Sequence, residues 1–199
     1  MEKIVIIGSP GAGKSTLARK LKPILKIKVV HLDRVFWQSG WGKKPMDKRI
    51  EILQEIVREK RWIIEGTYLG LSGLRLDAAD TIIFLDIGPL LCLRQIFKRH
   101  QIYKPHPENH GPIRRDIQQG CTDKLTLPLI LKVLFFPFQG RRTIKQKLHT
   151  YKSKNIIRLR SREEVEDFLA QLDPHVNEKR QFSQTPSVAG KMHLAIASR

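Results

Sequence analysis

The stretch Ile4-Val5-Ile6-Ile7-Gly8-Ser9-Pro10-Gly11-Ala12-Gly13-Lys14-Ser15-Thr16 constrains this chain more than any other. Four consecutive β-branched residues, Ile4 to Ile7, predict a short strand buried on both faces. Gly8 to Ser15 then fits G-x-x-x-x-G-K-[ST], and the run Thr16–Leu21 predicts a helix that Pro23 stops. Strand, glycine loop and helix in that order make a phosphate-binding loop. Gly8, Gly11 and Gly13 permit backbone angles that residues with a Cβ resist, so successive N–H groups can turn onto phosphate oxygens. The positive end of the helix dipole favours the same anion. Lys14 is expected on the β- and γ-phosphates and the Ser15 hydroxyl on Mg²⁺. Gly8, Ser9, Pro10, Gly11, Ala12, Gly13, Lys14, Ser15 and Thr16 together are the expected grip on a nucleoside triphosphate.

The 199 residues suit one domain with a proper core. No run of 18 or more apolar residues occurs, so no membrane-spanning helix is expected. The first strand follows the first residues directly, leaving no room for a signal peptide. Cys92 and Cys121 are too few for a disulfide framework, which points to a reducing, cytoplasmic setting.

The net charge of +18 is unevenly placed. Residues 91–160 hold 16 Lys and Arg against 3 Asp and Glu, whereas residues 161–199 are close to balanced. Such a patch attracts phosphates on a nucleotide, a nucleic acid or an anionic membrane. A solvated basic face without a partner is the alternative.

Four further apolar runs read as strands: Lys28–Leu32, Arg61–Glu65, Thr81–Asp86 and Asn155–Leu159. Asp47 is placed to cap a helix burying Ile50, Leu53, Ile56 and Val57. Pro89 opens another, with Leu90, Leu93, Ile96 and Phe97 as its buried stripe. A basic helix is expected over Arg141–Tyr151. Ser161 and Glu164 form a capping box for a last helix burying Val165, Phe168, Leu169 and Leu172. Residues 101–123, broken by Pro105, Pro107, Gly111 and Pro112, read as a mobile lid, and 173–199 as a disordered tail. Strands alternating with helices predict an α/β fold of three layers around a five-stranded parallel sheet, with the domain spanning 1–172.

Ligands of such sheets gather beyond the carboxyl ends of the strands. Asp33 after the second strand can serve as general base towards an acceptor hydroxyl or hold Mg²⁺, unless it only caps the segment that follows. Glu65 after the third is a second carboxylate for the metal. Asp86 after the fourth reads as a turn residue. Arginines must neutralise a phosphoryl group in transit, and a lid supplies them while excluding water. Arg94, Arg99, Arg114, Arg115, Arg141 and Arg142 are the candidates, with Arg94, Arg99 and Arg115 favoured as catalytic. Trp37 and Trp41 can stack on a ring or fill the core. A zinc site from His100, His106 and His110 with Cys121 is disfavoured, because no Cys-x-x-Cys accompanies them and Pro107 and Pro112 break the helix that would align the His-x₃-His pair.

These residues carry a resemblance. The phosphate loop, His31-Leu32-Asp33 followed by Phe36-Trp37 and Trp41, Trp62-Ile63-Ile64-Glu65-Gly66-Thr67-Tyr68, Arg75, and Ala79 to Asp86 resemble the adenylate-kinase-related family of DNA topology modulation proteins. The match runs from about Lys3 to Leu172. It implies a P-loop kinase that uses ATP and Mg²⁺ on a small-molecule or nucleotide acceptor. Glu65 stands where adenylate kinases carry an Asp before the glycine. The rival class is a nucleic-acid-associated regulatory ATPase affecting DNA topology. A nucleic-acid partner is not favoured, because no helix-turn-helix or zinc module is recognisable.

Overall fold

The computed structural model describes residues 1–39, 42–103 and 125–173. The expected lid core, with Arg114, Arg115 and Cys121, lies outside the described residues, as do Trp41 and the tail from 174 on.

Five strands form one parallel sheet in the order β2-β3-β1-β4-β5. They are β1 (Lys3–Gly8), β2 (Val29–His31), β3 (Trp62–Glu65), β4 (Thr81–Leu85) and β5 (Asn155–Leu159). β1, β3 and β4 are almost wholly buried, as their unbroken apolar runs require. Helices cover both faces, which completes the three-layer α/β architecture expected from the sequence. On one face α1 (Lys14–Leu25), α5 (Pro89–Ile102), α6 (Leu127–Leu134) and α8 (Arg162–Leu172) enclose a core that includes Leu17, Cys92, Ile96, Val133 and Phe168. On the other, α2 (Leu32–Val35), α3 (Met46–Arg58), α4 (Ser72–Ala78) and α7 (Gly140–His149) pack around Phe36, Leu53, Trp62 and Ile144.

Three local expectations fail for identifiable reasons. Pro23 does not stop α1, which runs on to Leu25 and ends at Lys26 in the left-handed region with φ 53. Ile24 and Leu25 pack on the core, and that burial offsets the hydrogen bond that proline cannot donate. Asp47 is not a cap: Pro45 precedes α3, and Asp47 lies in its first turn, where the dipole still favours it. The stripe of α5 is out of phase. Cys92 and Ile96 are buried, whereas Leu90 and Phe97 are 76% and 45% exposed. The Ser161 cap holds, with its Oγ accepting from Glu164 N–H at 3.1 Å, while Glu164 Oε2 accepts from Arg160 N–H at 2.8 Å.

No helix among the described residues is long and apolar enough to cross a membrane.

Candidate active site

β1 hands the chain to α1 through a loop whose glycines have distinct reasons. A Cβ at Gly8 (φ +153) would lie 2.5 Å from Leu85 O, and one at Gly11 (φ +78) 2.3 Å from Cys92 O. Those two glycines let the loop touch β4 and α5. A Cβ at Gly13 (φ +94) would meet nothing within 4 Å, so the start of α1 opens onto free space. Gly13 is the N-cap residue and no side chain caps the helix, which leaves first-turn N–H groups for a ligand. Inside the loop, Ala12 N–H donates to Ser9 O at 3.1 Å. Lys14 Nζ folds back to donate to Gly8 O at 3.1 Å and Ser9 O at 2.9 Å. Thr16 is exposed, and Arg19 Nη2 donates to its Oγ1 at 3.4 Å.

Burial holds Lys14 below the ordinary lysine value, while Glu65 and then Asp33 pull it back up. Both carboxylates therefore act on the loop lysine across the carboxyl edge of the sheet. Glu65 ends β3 in register with Ile6 of β1 and His31 of β2, and it is only 2% exposed. Its Oε1 accepts from Ser15 Oγ at 3.0 Å and pairs with His31 Nδ1 at 2.8 Å. A hydroxyl and a carboxylate oxygen are the hard donors that suit Mg²⁺, which takes its remaining ligands from phosphates and water. Among the described residues no three His, Cys, Asp or Glu side chains converge into a metal cluster, so Ser15 and Glu65 could supply only part of a shell.

Asp33 sits in the first turn of α2, which His31 precedes as the N-cap residue, so capping is not its role. Its Oδ1 accepts from Tyr68 Oη at 2.5 Å, and that phenol oxygen accepts from Trp37 Nε1 at 2.6 Å. Burial, then the charge on Asp33, pushes the Tyr68 ionisation far above the usual phenol range, so the hydroxyl remains a donor. Phe36 meets the Tyr68 ring edge-on at 5.0 Å. Trp37 thus belongs to the polar network as well as to the core.

Four consecutive residues, Glu65 to Tyr68, touch every part of this arrangement. Glu65 holds Ser15 and Tyr68 holds Asp33. Thr67 Oγ1 donates to Gly8 O and also lies 3.3 Å from Gly8 N, which donates to it. Arg75 Nη2 donates to Thr67 O at 2.5 Å from a fully buried position on α4. Burial lowers the Arg75 guanidinium to about 10, so it stays charged at neutral pH.

Asp86 is not a turn residue. It is 2% exposed and clamps two arginines: Arg141 Nε donates to Oδ1 at 2.5 Å and Arg158 Nε to Oδ2 at 2.8 Å, with Arg158 Nη2 on the same oxygen. That bond ties down Arg141, one of the six candidate arginines. Arg99 lies three and seven residues beyond Ile96 and Cys92, on the α5 face turned to the glycine loop, whereas Arg94 is exposed on the outer face with Leu90 and Phe97. The structure thus gathers Lys14, Ser15, Asp33 and Glu65 at one edge and leaves Arg94 apart. Arg115 lies outside the described residues. The Tyr68–Asp33 bond and the Asp86 clamp were missed by sequence reasoning. Tyr68 beside Gly66 and Asp86 at a strand end were the only signals for them.

No known protein family profile matches the chain, and no curated protein does. Solved structures do. A shikimate kinase from Acinetobacter baumannii in complex with shikimate superimposes with a TM-score of 0.50 at 13% identity, over 94% of this chain and 96% of that one. A shikimate kinase from Bacteroides thetaiotaomicron gives 0.47 at 16% identity, over 87% of this chain and 97% of that one. At such identities the likeness is one of fold: the five-stranded parallel sheet with flanking helices is that of P-loop kinases.

Proposed function

We propose that this chain is an ATP-dependent phosphotransferase of the P-loop kinase type. The observation that carries the reading is the Ser15–Glu65 hydrogen bond at the mouth of the glycine loop, with Lys14 and Asp33 on the same edge. ATP would give its γ-phosphoryl group to the acceptor oxygen and leave as ADP, and a bound Mg²⁺ would supply charge to neutralise the phosphate oxygens. Backbone N–H groups from Gly11 to Ser15 and the Lys14 ammonium hold the triphosphate. Ser15 and Glu65 hold the metal, and Asp33 orients an acceptor hydroxyl and takes its proton. Arg99, one turn along α5 from Ile96, is the arginine proposed to meet the transferring group.

The acceptor class is a small molecule or nucleotide bearing a hydroxyl. The sequence resemblance to DNA topology modulation proteins fits a kinase of this kind. ATP consumption measured with a panel of nucleosides, monophosphates, sugars and hydroxy acids tests the proposal. Acceptor-dependent turnover that Lys14→Met abolishes supports it. Turnover untouched by Lys14→Met overturns it.

A further inference from the structure

The positive excess of this chain coincides with an apolar surface that the phosphotransfer chemistry does not use. Among the described residues, nine of the twelve exposed large apolar side chains lie on α5, on α6 or in the turn before α7. Leu127, Leu131 and Leu134 share one face of α6, and Phe135 and Phe138 follow in the turn beyond it, giving a run of exposed apolar side chains. That face of α6 lies opposite Val133, which the helix buries in the core, and Leu127 and Phe138 are 67% and 73% exposed. On the neighbouring α5, Leu90 and Phe97 face outward on either side of Arg94.

The charges carried by α5, α6 and α7 themselves have one sign. Residues 89–103 and 125–149 contain no Asp or Glu at all. Lys98, Arg142 and Lys145 are exposed there, and an open hollow next to Phe138 is lined by Pro137, Arg141, Arg142, Lys145 and Gln146.

We propose that this outer face of α5 and α6 docks on an anionic lipid bilayer. A row of leucyl and phenyl groups with a cationic rim is what lets a helix lie in the plane of a membrane interface, apolar groups in the acyl boundary and cations among the headgroups. The basic hollow seats a headgroup phosphate. Duplex nucleic acid would satisfy the cations but leave the leucines and phenylalanines against a polar backbone. A second copy of the chain would cover the apolar stripe but bring like charges together.

The test mixes the full chain with sedimentable vesicles of phosphatidylcholine, with and without phosphatidylglycerol. Partitioning rises at least about tenfold with the anionic lipid and falls as salt is added. Phe135→Ser/Phe138→Ser removes two exposed rings and lowers vesicle binding about tenfold, while the thermal shift given by a non-hydrolysable ATP analogue stays at the parent value. Lys98→Glu/Lys145→Glu weakens binding to a similar degree. Four results overturn the proposal: no anionic preference, vesicle binding unmoved by the double Phe variant, tighter binding to duplex DNA than to vesicles, or a concentration-dependent dimer that the double Phe variant dissolves.

Discussion

The Tyr68 hydroxyl donates to Asp33 Oδ1 at 2.5 Å, which sets a phenol in the place an acceptor hydroxyl takes if Asp33 is to receive its proton. Trp37 holds that phenol from the other side at 2.6 Å. Under the proposed mechanism, an acceptor hydroxyl bound at Oδ1 would replace the Tyr68 hydroxyl.

Two substitutions separate the roles of this pair. Asp33→Asn lowers acceptor phosphorylation by about 10²–10⁴-fold with nucleotide binding intact, as expected for loss of a general base. Tyr68→Phe keeps the ring and frees the carboxylate. It lowers the KM for the acceptor and costs about 1–2 kcal/mol of stability, because Asp33 and Trp37 each lose a partner. Steady-state kinetics and urea denaturation read the two effects, and an unchanged rate in Asp33→Asn removes Asp33 from the mechanism.

Lys14→Met abolishes the thermal shift produced by a non-hydrolysable ATP analogue. In the unliganded chain two effects oppose each other: removing the ammonium relieves its burial but takes a donor from Gly8 O and Ser9 O. The sign of the pH effect follows from the depressed value. Between the folded value and 10.5 the unfolded chain binds more protons, so the parent gains stability as pH rises through that interval. Denaturation curves across the alkaline range show that rise in the parent and a flatter profile in Lys14→Met.

Glu65→Gln keeps the shape of the side chain but removes the charge beside Ser15 and His31. The Mg²⁺ concentration needed for half-maximal turnover increases by about tenfold or more. A metal titration that superimposes on the parent excludes Glu65 from the metal site.

Gly11→Ala and Gly13→Ala separate packing from backbone strain. At Gly11 the new Cβ lies 2.3 Å from a backbone oxygen of α5, so the loop or the helix must shift, and stability falls by about 3 kcal/mol or more. At Gly13 the Cβ enters open space, leaving only the left-handed backbone to oppose it, at about 1–2 kcal/mol. Calorimetry ranks the two.

Asp86→Asn leaves Arg141 and Arg158 without their shared buried carboxylate. The loss is about 2–3 kcal/mol, reduced from a fully buried case because both arginines are about one-third exposed. Either arginine replaced alone costs less, since the other still neutralises Asp86.

Much of this was legible in the chain. All five strands lie within a residue or two of their apolar runs, because a strand buried on both faces has little else to be made of. Ser15, Glu65 and Asp33 come together because the ends of parallel strands share one edge. Phase and partnership were harder. Leu90 and Phe97 read as core because they are apolar, yet Cys92, a weaker signal, holds the buried position against the glycine loop. Arg75 and Asp86 carry charges that composition assigns to solvent. Only the fold shows that Thr67 O, or a pair of arginines from α7 and β5, waits for them. Pro23 misled for a related reason: local propensity is weaker than two buried side chains downstream.

The contacts of Glu65 to Tyr68 have a consequence for anyone redesigning this molecule. A strut only four residues long spans Ser15, Gly8 and Asp33, so a change at any one of its joints reaches the other two. Trp37, which bridges to Lys43 across the α2–α3 connection, reaches the same strut through Tyr68, so redesign of that connection must keep the indole N–H in place.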